Sequence, residues 1–226
     1  MSGARKILAV NTAGPAVEVA LSCGGYFRDE NGRNASVSLM PAIDKLLTDA
    51  GMALSELDAI ACVIGPGSFT GIRIGVSAAR AMCYALGKPA VAVNYLQSLA
   101  YNERADGFDK ILCVCDGSNG TAYIAEFDSE RKPLRETVCV TMGEAEKLAR
   151  GYGGAVCACE RTVKICENVI PPAPDCHALL RAAEAMFANA CDFKDLIPLY
   201  VRESQAEKDL KESGANARIQ SSDSRR

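Results

Sequence analysis

The stretch Ile7–Leu21, ILAVNTAGPAVEVAL, decides the fold, because it places two runs of strand-forming residues on either side of a glycine-containing turn. Ile111–Cys115 reads ILCVC and repeats the opening ILAVN in the second half of the chain. With one inserted residue, the alignment continues into the following strand, where Val19 matches Ile124. We interpret the two stretches as copies of one structural unit.

The elements predicted around each copy follow the same order. Apolar periodicity and turn residues predict first-half strands at 7–12, 17–23, 26–29, 59–65 and 90–94, and helices at 36–50, 69–86 and 95–104. In the second half they predict strands at 111–115, 122–128, 135–140 and 155–160, and helices at 143–150 and 176–189. This order predicts an α/β fold of two tandem ribonuclease-H-like βββαβα subdomains, the architecture of actin, sugar kinases and the Hsp70 ATPase.

The predicted domains divide the 226 residues unequally. Residues 1–105 form the first actin-like subdomain, and 106–202 form a smaller second one, whose closing segment we expect to return to the first. Residues 203–226 are polar, and we expect a flexible tail there.

The composition excludes several classes of protein. Hydrophobic residues make up 49% and charged residues 23%, as in an ordinary soluble globular protein. The apolar runs are too short for a transmembrane helix or a signal-peptide core, so we expect a cytoplasmic protein without a membrane partner. A net charge of −3 disfavours an extended basic surface for nucleic acid.

The 11 cysteines are interpreted as reduced core thiols. No C-x-x-C pair exists, so the usual structural zinc pattern is absent. Cys113 with Cys115, and Cys157 with Cys159, are C-x-C pairs in predicted strands, where both side chains point to one face.

The most distinctive segment, GPGSFTGIRIG at 65–75, connects a predicted buried strand to a helix. We call its first six residues the signature loop: Gly65, Pro66, Gly67, Ser68, Phe69 and Thr70. Its glycine spacing matches neither the Walker loop nor the dinucleotide fingerprint. A tight turn with Ser68 capping the helix is favoured over an anion site at the helix N-terminus, although both remain open.

The helix after this loop carries a stripe of small residues. Gly71, Gly75 and Ala79 recur every four residues and share one face, with Ser77 and Ala78 beside them. Such a stripe lets another backbone approach closely. That backbone belongs either to this chain's own core or to a second subunit, and periodicity alone favours neither.

The turns that hold nucleotide phosphates and Mg²⁺ in actin-like proteins fall at Asn11–Thr12 and Asp116–Gly117. Mg²⁺ prefers carboxylate oxygen, and only the second turn offers a carboxylate. The single histidine, His177, excludes any metal site or acid–base scheme that needs two histidines, and we interpret it as a surface or boundary residue. We therefore expect no metal site.

The chain resembles the TsaB (YeaZ) family, the dimerisation subunits of the bacterial machinery that makes threonylcarbamoyladenosine in tRNA. The resemblance rests on ILAVNTAGPAVEVAL, on IGPGSFTGIRIGVSAARAMCYALGKPAVAV at 64–93, on Asp116 with Gly120 and Tyr123, and on PLYVR at 198–202. Asn11 departs from the family, which usually carries Asp there, and so do Ala35 and Ser118.

The resemblance implies a noncatalytic subunit that pairs with and activates a TsaD-like threonylcarbamoyltransferase. A TsaE-like ATPase joins the pair, tRNA is contacted indirectly, and ATP and metal belong to the partner subunits rather than to this chain. The sister subunit's metal motif, two histidines spaced by three residues, cannot occur in a chain with one histidine.

The family pairs through two helices that correspond here to 37–50 and 70–86. The implied interface comprises Met40, Ile43, Leu47, Gly71, Arg73, Ile74, Gly75, Ser77, Ala78, Ala79 and Met82. A bulky residue at Gly75 is then expected to block pairing while leaving the fold intact. Without a partner, the same face can form a homodimer.

The alternative function is an actin-like Mg-ATP-dependent hydrolase or transferase, or a peptidase-like enzyme, acting alone.

Overall fold

The computed structural model describes residues 5–30, 35–173 and 176–202. One sheet contains β1 (Ile7–Asn11), β2 (Val17–Leu21), β3 (Tyr26–Asp29), β4 (Ala59–Gly65) and β5 (Ala90–Asn94). The other contains β6 (Lys110–Ser118), β7 (Thr121–Asp128), β8 (Pro133–Thr141), β9 (Ala155–Ala158) and β10 (Val169–Ile170). The helices are α1 (Ala35–Asp49), α2 (Phe69–Leu86), α3 (Tyr95–Ala100), α4 (Met142–Arg150) and α5 (His177–Met186). The tail predicted at 203–226 lies outside the described residues.

The two sheets repeat one topology. Their strand orders are β3-β2-β1-β4-β5 and β8-β7-β6-β9-β10, so each strand of the first sheet has a counterpart in the second. The register agrees as well: Val10 lies opposite Val19 in the first hairpin, and Val114 lies opposite Ile124 in the second. The predicted α/β fold of two tandem ribonuclease-H-like subdomains is therefore confirmed.

The sheets and helices stack in five layers. Helices α1 and α2 cover the outer face of the first sheet, and α4 covers the outer face of the second. Helices α3 and α5 lie between the sheets, where α3 contacts β6 and β7 of the second sheet, and α5 contacts β1 and β5 of the first. The boundary predicted between 105 and 106 falls in the connection from α3 to β6, and it stays a prediction.

Buried cysteines contribute to the core between the two sheets. Cys113 and Cys115 lie on the face of β6 that joins the main hydrophobic core, and Cys113 lies opposite Cys157 across the parallel pair β6–β9. Burial raises the pKa of the Cys113 and Cys115 thiols, and it raises the pKa of Cys62 to about 12. These groups therefore stay neutral thiols near neutral pH and act as small apolar side chains. No disulfide links the described cysteines.

The second half differs from our prediction after β9. We predicted strand 155–160 and helix 176–189 with a loop between them, whereas β9 ends at Ala158 and a 3-10 turn, Glu160–Thr162, and the short strand β10 come before α5. The Thr162 hydroxyl donates to the backbone oxygens of Val114 (3.1 Å) and Cys159 (3.2 Å), which ties the segment to the end of β6. Such side-chain bonds to the backbone compete with the hydrogen bonds of a continuing strand, which fits the end of β9 at Ala158.

Helix α2 begins and ends where its sequence predicts. The Ser68 hydroxyl accepts a hydrogen bond from Gly71 N (3.2 Å), which caps the first turn, and Gly87 ends the helix with a φ of 62°. A left-handed residue of this kind is the usual helix stop, and glycine adopts it without strain.

The small-residue stripe of α2 packs on this chain's own β1–β2 turn. A Cβ built on Gly71 would overlap the Thr12 backbone oxygen, and one built on Gly75 would overlap the Thr12 hydroxyl. That hydroxyl donates to Gly71 O at 2.7 Å, and Ala79 is fully buried on the same side of the helix. Of the two alternatives that periodicity left open, the structure selects the chain's own core.

This packing predicts that Gly75→Ala destabilises the protein, although glycine to alanine normally stabilises a helix by about 1 kcal/mol. The added methyl group meets the buried Thr12 hydroxyl, so we expect a loss of about 1–3 kcal/mol in the free energy of unfolding, measured by urea denaturation. The control is Ser77→Ala on the exposed side of α2, which should change stability by less than about 0.5 kcal/mol.

A double variant identifies the cause. Thr12→Ala removes the overlapping hydroxyl, so the Gly75→Ala penalty should shrink in the Thr12→Ala background. A Gly75→Ala protein as stable as the wild type would contradict this account of the stripe. The same contact means that a bulky residue at Gly75 disturbs the fold itself, contrary to our sequence-based expectation.

Candidate functional site

A cleft of about 590 Å³ opens between the two halves at the β1–β2 turn. The signature loop and the β6–β7 turn form its sides, and the closing segment 199–202 borders it. The side chains that give it chemical character are Phe69, Tyr95, Asp116, Ser118, Tyr123, Cys159, Arg161, Tyr200 and Arg202. This is the position where the sequence places the two nucleotide-type turns.

Asp116, the carboxylate of the second turn, is occupied by contacts within the chain. One oxygen accepts from Ser118 N at 3.0 Å, and the other accepts from Arg161 Nη1 at 3.3 Å. Gly117 follows without room for a side chain, because a Cβ there would lie 2.6 Å from the Thr121 hydroxyl. Asp116 therefore caps its own turn and pairs with Arg161, which leaves it poorly placed to ligate a metal ion.

Asn11, at the end of β1, is buried and directed away from the cleft. Its Nδ2 donates to Glu18 Oε2 at 2.6 Å, while its Oδ1 accepts from Ala13 N at 3.0 Å. An aspartate could accept the second bond but could not donate the first, and it would place two carboxylates side by side. Asn11 thus belongs to the environment of buried Glu18, which gives a physical reason for its departure from the family's aspartate.

The turns do not fit a bound Mg²⁺ ion. Asn11 carries no carboxylate, and Asp116 is the single carboxylate of the two turns, with each oxygen already accepting a hydrogen bond, whereas the ion prefers several oxygen ligands. Among the described residues, no group of three or more His, Cys, Asp or Glu side chains could hold a metal ion. His177 lies at the start of α5 with an exposed side chain, and its Nδ1 is 3.8 Å from Glu103 Oε2.

The signature loop acts as a structural junction. Ser68 N donates to Ala13 O at 2.8 Å, and a Cβ on Gly67 would overlap that same oxygen. Gly65 has a φ of +123°, and a Cβ there would lie 2.6 Å from Leu199 O. The backbone donors at Ser68 and Gly71 are used within the chain, which favours the tight-turn interpretation over an anion site.

The closing segment is anchored on the first half. Leu199 N donates to Ile64 O at 2.8 Å. The Tyr200 ring packs on Phe69 with centroids 4.8 Å apart, and Arg73 Nε donates to the Tyr200 hydroxyl at 3.0 Å. The Arg73 guanidinium also lies 3.9 Å from the centre of the Phe69 ring, a cation–π distance. Arg73 therefore holds the closing segment to the first turn of α2.

The outer surface of α1 and α2 presents an apolar patch, but its residues differ in part from those expected. We define the α1–α2 face as Val37, Met40, Ile74, Ser77, Ala78 and Ala81, which are exposed or half-exposed. Val37 is 72% exposed and Met40 49%, so both apolar side chains meet solvent in this chain. Val37 was not among the interface residues expected from the sequence, because its helical spacing with Met40 is typical of a core stripe. The exposure of both side chains shows that they are surface residues.

Six residues of the implied interface are buried within the chain: Ile43, Leu47, Gly71, Gly75, Ala79 and Met82. Because these six residues are buried, they pack the two helices against the core of this chain and are not exposed on its surface. The other five lie at the surface: Met40, Arg73, Ile74, Ser77 and Ala78. Whether these five contact a partner stays a prediction.

None of the helices in the described ranges is long and apolar enough to cross a membrane.

Comparison with known proteins adds the family. Residues 16–171 match the family model described as TsaD, tRNA N6-adenosine threonylcarbamoyltransferase. A protein of that name from Sphingopyxis alaskensis is 31% identical over 199 residues, which cover 84% of this chain and 57% of that protein. The Escherichia coli tRNA threonylcarbamoyladenosine biosynthesis protein TsaB is 32% identical over 133 residues, 57% of this chain and 58% of that protein. The chain spans about half the length of the curated relatives it matches.

Among solved structures, YeaZ from Pseudomonas aeruginosa matches with a TM-score of 0.72 and 25% identity, covering 87% of this chain and 100% of that one. This similarity extends through both sheets and confirms the resemblance that the sequence predicted. The chain belongs to the tRNA N6-adenosine threonylcarbamoyltransferase family and is similar within it to TsaB (YeaZ).

Proposed function

We propose that this chain is a noncatalytic subunit of the machinery that makes threonylcarbamoyladenosine in tRNA, and that it pairs with and activates a TsaD-like threonylcarbamoyltransferase. The observation that carries the proposal is the exposed apolar α1–α2 face in a chain of this family. In this scheme a TsaE-like ATPase joins the pair, ATP and metal bind to the partner subunits, and tRNA reaches this chain only through the complex.

The chemistry of the cleft supports a role without catalysis. The Asp116 carboxylate is held by Ser118 N and Arg161, and Asn11 is held by Glu18 and Ala13 N. A nucleotide-dependent transferase needs groups that hold metal and phosphate at the reacting centre. These two turns instead satisfy their own polar groups, so the cleft has no free carboxylate at the positions where the fold would use one.

The α1–α2 face has the chemistry of a pairing surface. On α2 three outward side chains are small, Ser77, Ala78 and Ala81, so a partner backbone can approach closely at these positions. On the neighbouring helix α1, Val37 and Met40 are exposed, and burying such side chains contributes roughly 1.5–3 kcal/mol each. When the partner is absent, a second copy can cover the same patch, because a two-fold pair presents one face to itself.

The first test places a charge in this face. Met40→Asp should weaken binding to the TsaD-like protein of the same organism by about tenfold or more, because an unpaired carboxylate would be buried in the interface. Binding is measured by biolayer interferometry with the TsaD-like protein immobilised. Circular dichroism and thermal melting should show a folded variant, since Met40 is half-exposed.

The matched control is Leu134→Asp on β8, in the second half and away from α1 and α2. Leu134 is 52% exposed, close to the exposure of Met40, so the control also replaces an exposed apolar side chain with a carboxylate. Its affinity should stay within about twofold of the wild type. Equal losses for the two variants, or a loss for Leu134→Asp alone, would contradict the assignment of the α1–α2 face.

A second test separates pairing from catalysis. In a reconstituted modification reaction with TsaD-like and TsaE-like proteins, ATP and tRNA, Asp116→Asn should keep at least about half of the wild-type rate, while Met40→Asp should lose most of it. The rate is measured by mass spectrometry of the tRNA nucleosides.

A lost reaction in Asp116→Asn, with intact pairing, would contradict the noncatalytic role and favour the enzyme alternative. Calorimetry of the isolated chain with Mg-ATP gives an independent check. We expect no binding heat at millimolar ATP, whereas saturable binding lost in Asp116→Asn would support an enzyme that acts alone.

A further inference from the structure

Arg28, on the edge strand β3, contacts three carboxylates at the seam between the halves. Its Nη1 pairs with Glu18 on the neighbouring strand, and its Nε pairs with Glu30 at 2.8 Å. Its Nη2 pairs with Glu160, which lies in the 3-10 turn after β9 of the second half. We infer that the Arg28–Glu160 pair is an electrostatic latch that holds the second half closed against the first and thereby sets the width of the cleft.

The first-half part of this cluster is anchored by burial. The Arg28 and Glu18 side chains are only 15% and 14% exposed. Burial raises the pKa of Glu18, while Arg28 and the hydrogen bond from Asn11 act in the opposite direction. Glu18 and Arg28 line a small cavity of about 30 Å³ together with Tyr95 and Cys176. Arg28 is therefore fixed on the first sheet by Glu18, whether or not Glu160 is present.

The second-half part is tied directly to the cleft. Glu160, Arg161 and Thr162 form one short turn. Thr162 bonds to Val114 O of β6, and Arg161 bonds to Asp116 at the end of the same strand. A displacement of this turn therefore moves the wall of the cleft that carries Asp116 and Arg161. The Arg28–Glu160 pair thus contacts the same turn whose next residue, Arg161, lines the cleft.

The charges define which substitution isolates the latch. Removing Arg28 would leave Glu18 buried without its cation, which threatens the fold itself. Removing the Glu160 carboxylate leaves Arg28 paired with Glu18 and Glu30, so the contact between the halves is lost while the first half keeps its own ion pairs. Glu160→Ala is therefore the test variant.

Glu30→Ala is its matched control. Glu30 contacts the same guanidinium and loses the same carboxylate, but it lies in the first half and its side chain is 76% exposed. The two variants change the net charge equally and differ in whether the lost pair crosses the seam.

The experiment measures native-state thiol labelling by pulsed iodoacetamide and mass spectrometry on the full chain. Cys159 precedes the latch turn, is buried and lines the cleft, so opening of the halves exposes it. Cys62 lies inside the first sheet and reports unfolding of that half. In Glu160→Ala, the labelling rate of Cys159 should rise about threefold or more over the wild type, because the Glu160 side chain is 36% exposed and its ion pair is partly screened, while the rate of Cys62 stays within about twofold. In Glu30→Ala, both rates should stay within about twofold of the wild type.

An unchanged Cys159 rate in Glu160→Ala would overturn the inference. Equal increases at Cys159 and Cys62 would also overturn it, because they would show general destabilisation rather than opening at the seam. An equal increase at Cys159 in Glu30→Ala would assign the effect to net charge and would overturn the latch in the same way.

Discussion

The close approach of α2 to the β1–β2 turn is the constraint on which the first half depends. Thr12 occupies the space that side chains at Gly71 and Gly75 would fill, and its hydroxyl bonds to the helix backbone at Gly71. This contact fixes how low α2 sits on the first sheet. It also places the signature loop against Ala13. The contact between α2 and the β1–β2 turn therefore positions both a wall of the cleft and the outer surface of α2.

The same contact determines which residues of α2 face the core and which face solvent. Its glycines face inward and serve the fold, while Ser77, Ala78 and Ala81 remain outward beside Val37 and Met40 of α1. In the middle of the molecule, α3 and α5 lie between the two sheets, where narrow thiols such as Cys113 and Cys115 face the shared core. The protein thus carries an apolar surface on its outer helices, while the polar side chains of the two turns at the cleft are hydrogen-bonded within the chain.

Much of this could be predicted from the sequence, and particular residues show where prediction stopped. The bounds of α2 were predictable because Ser68 caps its first turn and Gly87 ends it. The direction of the glycine stripe was not, since small residues suit an internal contact as well as an external one and only the tertiary position of Thr12 decides. The pairing of Glu18 with Arg28 was not predictable from the Gly24–Gly25 signal, because a two-residue turn there would place Leu21 opposite Arg28, whereas the hairpin has a longer turn and places Glu18 there. The ion pair between Glu160 and Arg28 could not be predicted from the residues around Glu160, because Arg28 lies in the other half of the chain.

The proposed pairing of this chain with a TsaD-like protein can be tested by measuring the mass of the complex. Size-exclusion chromatography with light scattering would compare this chain alone with an equimolar mixture of both wild-type proteins. We expect a species in the mixture with the summed mass of one copy of each protein. Two species that elute separately at their individual masses, with TsaE-like protein and ATP also supplied, would contradict it.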